Sequence, residues 1–168
     1  YFNNNKQMHG AGMVYSHKAE IDTKQKDSTD IILNIEDDQE KCDVLLDYKK
    51  ELVIALEKYK EEFPSINLGQ KWGIFEPLNI QYYKPGGGYP NLHYERSNKM
   101  PNRMLVYMLY LNTVTDKGGT EFPLQNITLS AIKGDLYIWP AEFTHPHKGI
   151  ISPTQEKYIA TGWFELVN

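Results

Sequence analysis

Hydrophobic positions along this chain change period once. Between Asp37 and Phe63, the residues Leu45, Tyr48, Leu52, Leu56, Tyr59 and Phe63 recur at spacings of three and four, the signature of one face of an α-helix. Asp37 and Asp38 stand where an N-cap belongs, and Pro64 follows the last apolar position. One long amphipathic helix is therefore expected. Beyond Gly69 the texture turns to short runs rich in Tyr, Ile, Leu and Val, broken by clusters of Gly, Pro and Asn. Strands are expected near residues 74–84, 91–97, 102–112, 119–124, 127–132, 135–139, 147–152 and 157–167. Residues 1–35 hold one strand-like run, Ile31-Ile32-Leu33, at the end of an irregular arm in which no chemistry is read.

About eight short strands separated by turn signals favour a double-stranded β-helix, or jelly roll, or a barrel over a meander. The predicted fold is mainly β with α, the long helix packing against one sheet. At 168 residues the chain is large enough to bury roughly two-thirds of its unfolded surface around one core without disulfides. No internal repeat, low-complexity tract or linker divides it, so residues 1–168 are expected to form one domain with its core at about 74–167.

Charge narrows the partners. A net charge of -4 and no basic stripe argue against nucleic acid. The longest apolar run, Met104 to Leu111, falls far short of the roughly 18 residues that a membrane span needs, and no signal-peptide pattern opens the chain. The lone Cys42 has no intrachain partner and reads as a small hydrophobe in the helix. A soluble, cytoplasmic protein without membrane contact is the expectation.

The candidate chemistry lies in the second half. His93 and Glu95 are two apart in a strand-like segment, so their side chains leave the same face and can reach one ion. A third ligand is available downstream from His145 or His147. Two imidazoles and one carboxylate hold one face of a divalent iron and leave the other positions open.

Four stretches carry a family resemblance. The first is Tyr83-Lys-Pro-Gly86-Gly-Gly-Tyr89-Pro-Asn-Leu-His93-Tyr-Glu95; the second joins Met104 to Asn112 with Gly118-Gly119-Thr-Glu-Phe122-Pro123. Lys133-Gly134-Asp-Leu-Tyr-Ile-Trp139 is the third, and the last is His147-Lys-Gly149 with Lys157-Tyr158 and Trp163 beyond it. In this order they resemble the prolyl 4-hydroxylase-like branch of the iron(II)- and 2-oxoglutarate-dependent dioxygenases over roughly residues 74–167. The spacing to Lys157 selects His147 over His145, which is left as a neighbour of the site. Glu95 stands where that branch usually carries Asp, and the gap from Tyr89 to His93 is one residue longer than expected. The presence of a carboxylate separates the chain from the halogenating branch.

The resemblance implies that His93, Glu95 and His147 hold iron(II), with 2-oxoglutarate as co-substrate, O2 as oxidant and ascorbate as an accessory reductant. It assigns Lys157 to the distal carboxylate of 2-oxoglutarate and Tyr83 to a supporting hydrogen bond. Strand alternation sets Lys157, Ile159, Thr161 and Trp163 on one face, so Trp163 is expected to line the cavity, with Tyr89 and Arg96 near its mouth. The implied activity is hydroxylation of an unactivated C–H bond, first of a peptidyl proline. The alternatives are a hydroxylase of a free amino acid or other small molecule, and a non-catalytic jelly-roll module whose histidines hold a structural metal.

Overall fold

A computed structural model of the chain describes residues 1–15, 19–34, 43–69 and 71–167. Its helix, α1 (Asp43–Glu62), presents Leu45 and Leu52, both nearly sealed from solvent, with Tyr48, Leu56 and Tyr59 packed on the same core. These are the three-and-four-spaced positions of the sequence. Phe63 falls just past the helix end and leans half-exposed on the Tyr59 ring. The capping candidates Asp37 and Asp38, and Cys42, lie outside the described residues.

The strands are β1 (Gly10–Ala11), β2 (Val14–Tyr15), β3 (Ala19–Glu20), β4 (Thr29–Leu33), β5 (Trp72–Gly73), β6 (Leu78–Tyr83), β7 (Arg103–Tyr110), β8 (Thr120–Phe122), β9 (Ile127–Leu129), β10 (Leu136–Pro140), β11 (Lys148–Gly149) and β12 (Lys157–Leu166). They form an antiparallel major sheet in the order β1-β4-β6-β12-β7-β10, with β5 also paired to β12. A smaller sheet runs β11-β8-β9, and β2 pairs with β3. Together with α1 this is the jelly-roll arrangement expected of the chain.

Alternation along the major sheet separates two cores. Ile31, Leu33, Leu78, Ile80, Leu105, Tyr107, Ala160 and Phe164 face α1. On the opposite side Tyr83, Val106, Met108, Tyr110 and Ile159 pack with Val114, Phe122, Ala131 and Trp139, closing the space between the two sheets. Because side chains repeat every two residues in a strand, β6, β7 and β12 serve both layers.

Three expectations need correction. Residues 91–97 form no strand; only His93 pairs, in an isolated antiparallel bridge with His147. The reason is local: after that single pairing the backbone turns, and the N–H groups of Glu95 and Arg96 both go to the Ala141 carbonyl, at 3.1 and 2.9 Å. The strand expected at 74–84 starts only at Leu78, after Pro77, and that expected at 147–152 is the two-residue β11. Among the described residues no helix is long and apolar enough to cross a membrane.

Candidate metal centre

The bridge that replaces a full strand is what assembles the site. His93 N–H donates to the His147 carbonyl at 3.0 Å and His147 N–H returns the bond at 2.8 Å, so residues 54 apart in the chain stand directly opposite. Their rings lie 4.5 Å apart. Glu95 completes the group: one ligand atom from each of His93, Glu95 and His147 lies within 4.8 Å of the others.

Each imidazole is oriented from behind. His93 Nδ1 sits 2.8 Å from the Asn91 carbonyl and His147 Nδ1 is 3.1 Å from the His145 carbonyl. A carbonyl oxygen only accepts, so Nδ1 carries the proton and the Nε2 lone pair is left for a metal, the arrangement common behind ligating histidines. Both Nε2 atoms point at one atom, Glu95 Oε1, at 3.4 and 3.5 Å. Donors about 2.1 Å from a shared ion on adjacent vertices stand about 3.0 Å apart, so a small inward movement would close the set on an ion. Tyr89 stacks on His93 at 4.1 Å and Phe122 on His147 at 5.3 Å, restricting both rings. Burial alone would raise the Glu95 carboxyl, but hydrogen bonds and charge from His147 and His93, which act when Nε2 carries a proton in place of a metal, outweigh it and hold the group well below the usual carboxylate range. It is a ready anionic ligand.

The other Glu95 oxygen is also committed. Oε2 accepts from Arg103 Nη1 at 3.0 Å and from Trp163 Nε1 at 3.2 Å. Arg103 in turn forks onto Glu76, Nε to Oε1 at 2.6 Å and Nη2 to Oε2, and lies over the Trp163 ring at 3.6 Å. The sequence reading missed Arg103 for a definite reason. Strict alternation along β7 would put it with Leu105 and Tyr107, facing the helix. The register shifts between Phe164 and Glu165, leaving Met104 without a partner and pairing Glu165 with Arg103. This bulge re-aims Arg103 to the cavity side, a use of bulges common beside functional sites.

A cavity of about 260 Å³ opens on these groups. Lys157 lines it, 5% exposed, with Nζ donating to the carbonyls of Gly118 at 3.0 Å and Ile150 at 3.4 Å. Gly118 has φ of 77°, which brings its carbonyl there without the cost a side chain would incur. Burial lowers the Lys157 pKa to about 8. Tyr83 pairs across from Lys157 in the register, its ring 5.0 Å from Nζ and its hydroxyl donating to Gln81. Trp163 and Tyr89 line the cavity as well. Arg96 does not: it is bound to Glu142 and to the Pro101 carbonyl, outside the wall. His145 is likewise not part of the wall, its Nδ1 3.0 Å from the Thr144 hydroxyl. Met13, Val14 and Lys26 of the N-terminal arm do form part of the wall, joined by Tyr110, Asn79 and Thr161. No local pattern in the arm signals this; pairing of β1 and β4 brings it there.

Comparison with known proteins agrees with this geometry. The model of the 2OG-Fe(II) oxygenase superfamily matches residues 78–165, and the chain belongs to that family. No curated protein matches the chain significantly. Among solved structures, a collagen prolyl hydroxylase of Paramecium bursaria Chlorella virus 1, in complex with 2OG, is 21% identical and has a TM-score of 0.65, over 85% of this chain and 81% of that one. A prolyl-4-hydroxylase of Pseudomonas putida is 16% identical with a TM-score of 0.69, over 99% and 82%. A Trichoplax adhaerens prolyl hydroxylase, in complex with a hypoxia inducible factor oxygen degradation domain peptide fragment, is 14% identical with a TM-score of 0.74, over 97% and 73%. The chain shares their fold. It is a 2-oxoglutarate-dependent dioxygenase that uses iron(II) and consumes O2.

Proposed function

We propose that the chain, as one dioxygenase domain, hydroxylates a proline residue in a peptide and does so in the cytoplasm, without nucleic acid or a membrane as partner. The observation that carries the site assignment is the convergence of His93 Nε2, His147 Nε2 and Glu95 Oε1 in a cavity that also holds the buried amine of Lys157. Two imidazoles and a carboxylate suit iron(II). When bound, the iron couples decarboxylation of 2-oxoglutarate to insertion of one oxygen atom into a C–H bond, with ascorbate as an optional reductant.

The residues of the chain do the placing. Lys157 offers a cation inside a low-dielectric wall, where a carboxylate is held far more strongly than in water. Its present partners are two neutral carbonyls, so an incoming anion gains the full charge pair. Tyr83, buried and carrying its hydroxyl proton over any ordinary pH because burial pushes its pKa well above 10, is a donor beside it once that single proton turns from Gln81 to the co-substrate. Three protein ligands would leave room on a bound iron for the co-substrate and O2. A structural zinc would be closed by a fourth protein donor. Among the described residues no fourth His, Cys, Asp or Glu joins the group. Trp163, Tyr89 and the arm residues Met13 and Val14 supply an apolar approach for a pyrrolidine ring. The acidic chain and the prolyl hydroxylases that share its fold support a peptide over a nucleobase.

Incubation with iron(II), 2-oxoglutarate and proline-rich peptides tests this, reading succinate release and the gain of one oxygen atom by mass spectrometry. Peptide-stimulated succinate with a hydroxyproline product is expected. Stimulation by a free amino acid and by no peptide would overturn the peptide assignment.

A further inference from the structure

A carboxylate can bind a metal through one oxygen or through both, and the second mode consumes a vertex that the co-substrate or O2 needs. Glutamate is the more exposed to this ambiguity because its extra methylene gives the carboxylate a wider reach than aspartate. In this chain the ambiguity is removed before any metal arrives. Oε1 alone faces the two Nε2 atoms, at 3.4 and 3.5 Å, while Oε2 is held from the opposite side by Arg103 Nη1 at 3.0 Å and Trp163 Nε1 at 3.2 Å. The holder is itself fixed. Arg103 is 7% exposed, forks onto Glu76 and stacks on Trp163, so the guanidinium plane has little freedom to follow a moving carboxylate.

We propose that Arg103, with Trp163, is a positioning residue that confines Glu95 to one-oxygen ligation and so keeps the remaining vertices of the metal open. The inference rests on the metal-centre reading above. It assigns Glu76 a role as well: it anchors the guanidinium against the pull of a metal-bound carboxylate. The bulge at Met104 is then part of the device, because without the register shift Arg103 would face the helix.

Cobalt(II) titration of the whole chain tests this without turnover, reading the binding constant and the ligand-field spectrum, which reports coordination number. Arg103→Gln is expected to weaken cobalt binding by roughly 10- to 100-fold, the usual cost of losing an outer-shell partner, and to alter the spectrum as Oε2 turns inward. Arg103→Lys retains the charge but not the fork; it is expected to recover most of the affinity and only part of the spectrum. Trp163→Phe, which removes one donor to Oε2 and keeps the ring, is expected to shift the spectrum in the same direction by a smaller amount. Should Arg103→Gln not fold, Arg103→Lys and Trp163→Phe decide the matter by their spectra. Wild-type spectra in every folded variant would overturn the proposal. A wild-type chain that binds no cobalt would instead overturn the metal-centre reading.

Discussion

The two faces of the major sheet are built by the same strands and have opposite characters. On β12 the helix-facing residues Ala160, Gly162 and Phe164 are small or apolar, and Gly162 leaves room for the Tyr107 ring, which a Cβ there would strike. The alternate residues Lys157, Thr161 and Trp163 face the cavity and carry an ammonium, a hydroxyl and an indole N–H. Thr161 Oγ1 is buried with no hydrogen-bond partner, and Lys157 holds its charge against neutral carbonyls. The helix face is packed to hold the fold and buries the unpartnered hydroxyls of Tyr48 and Tyr107 among apolar groups; the cavity face carries a charge paired only with neutral carbonyls and an unpartnered hydroxyl at a wall that a ligand can reach. Changes on one face should therefore move stability and changes on the other should move ligand affinity.

The largest separation is expected from His147→Ala. It removes one of the three proposed ligands, so metal binding and succinate formation should fall to background while thermal unfolding of the metal-free chain moves little. Loss of fold in that variant would show that the site also holds the sheets together. On the other face, Leu52→Ala should cost about 3 kcal/mol in chemical denaturation, as large-to-small core changes do, with the cobalt affinity of the folded protein unchanged.

Lys157→Ala should weaken 2-oxoglutarate binding about a hundredfold, equivalent to about 2.7 kcal/mol, without destabilising the ligand-free chain. Calorimetric titration with a redox-inert metal bound separates the two effects. The same lysine sets a pH dependence. Its folded pKa of about 8 lies below the ordinary value near 10.4, so between those pH values the unfolded chain keeps a proton that the folded chain has released. The contribution of this group to stability therefore rises as pH climbs from about 8, while 2-oxoglutarate affinity should fall as the amine loses its charge. Affinity that is flat from pH 7 to 9 would remove Lys157 from the co-substrate site.

The smallest and sharpest test makes one chemical change on both faces. Tyr83→Phe deletes a hydroxyl bonded to Gln81 in the cavity wall and should weaken 2-oxoglutarate binding several-fold. Tyr107→Phe deletes a buried hydroxyl with no partner on the helix side and should leave binding intact, with stability unchanged or raised by about 1 kcal/mol. Equal outcomes for the two would erase the distinction between the faces.

Much of this organisation is legible in the chain, and the failures are local. The three-and-four spacing of Leu45, Tyr48, Leu52, Leu56 and Tyr59 marks α1, because a helix buries one stripe whatever it packs against. An unbroken apolar run marks β7, and short runs rich in Tyr, Ile and Leu mark β6 and β12, strands buried on both faces. The segment around His93 looked like a strand from its residues, yet one pairing with His147 and a turn to Ala141 replaced the ladder. Arg96, expected near the mouth of the cavity, is carried out of the wall by its bonds to Glu142 and the Pro101 carbonyl.

By itself the sequence determined what is periodic or strung at characteristic intervals: a helix, short apolar strands between turns, and His93, Glu95, His147 and Lys157 in their order. Tertiary structure alone decided what depends on register and on distant pairing. A one-residue shift beside Met104 turned Arg103 toward Glu95, and the pairing of β1 with β4 and β4 with β6 brought Met13, Val14 and Lys26 to the cavity. The physical reason is that periodicity reports the solvent boundary of each element separately, whereas a contact between elements depends on offsets that no single element encodes.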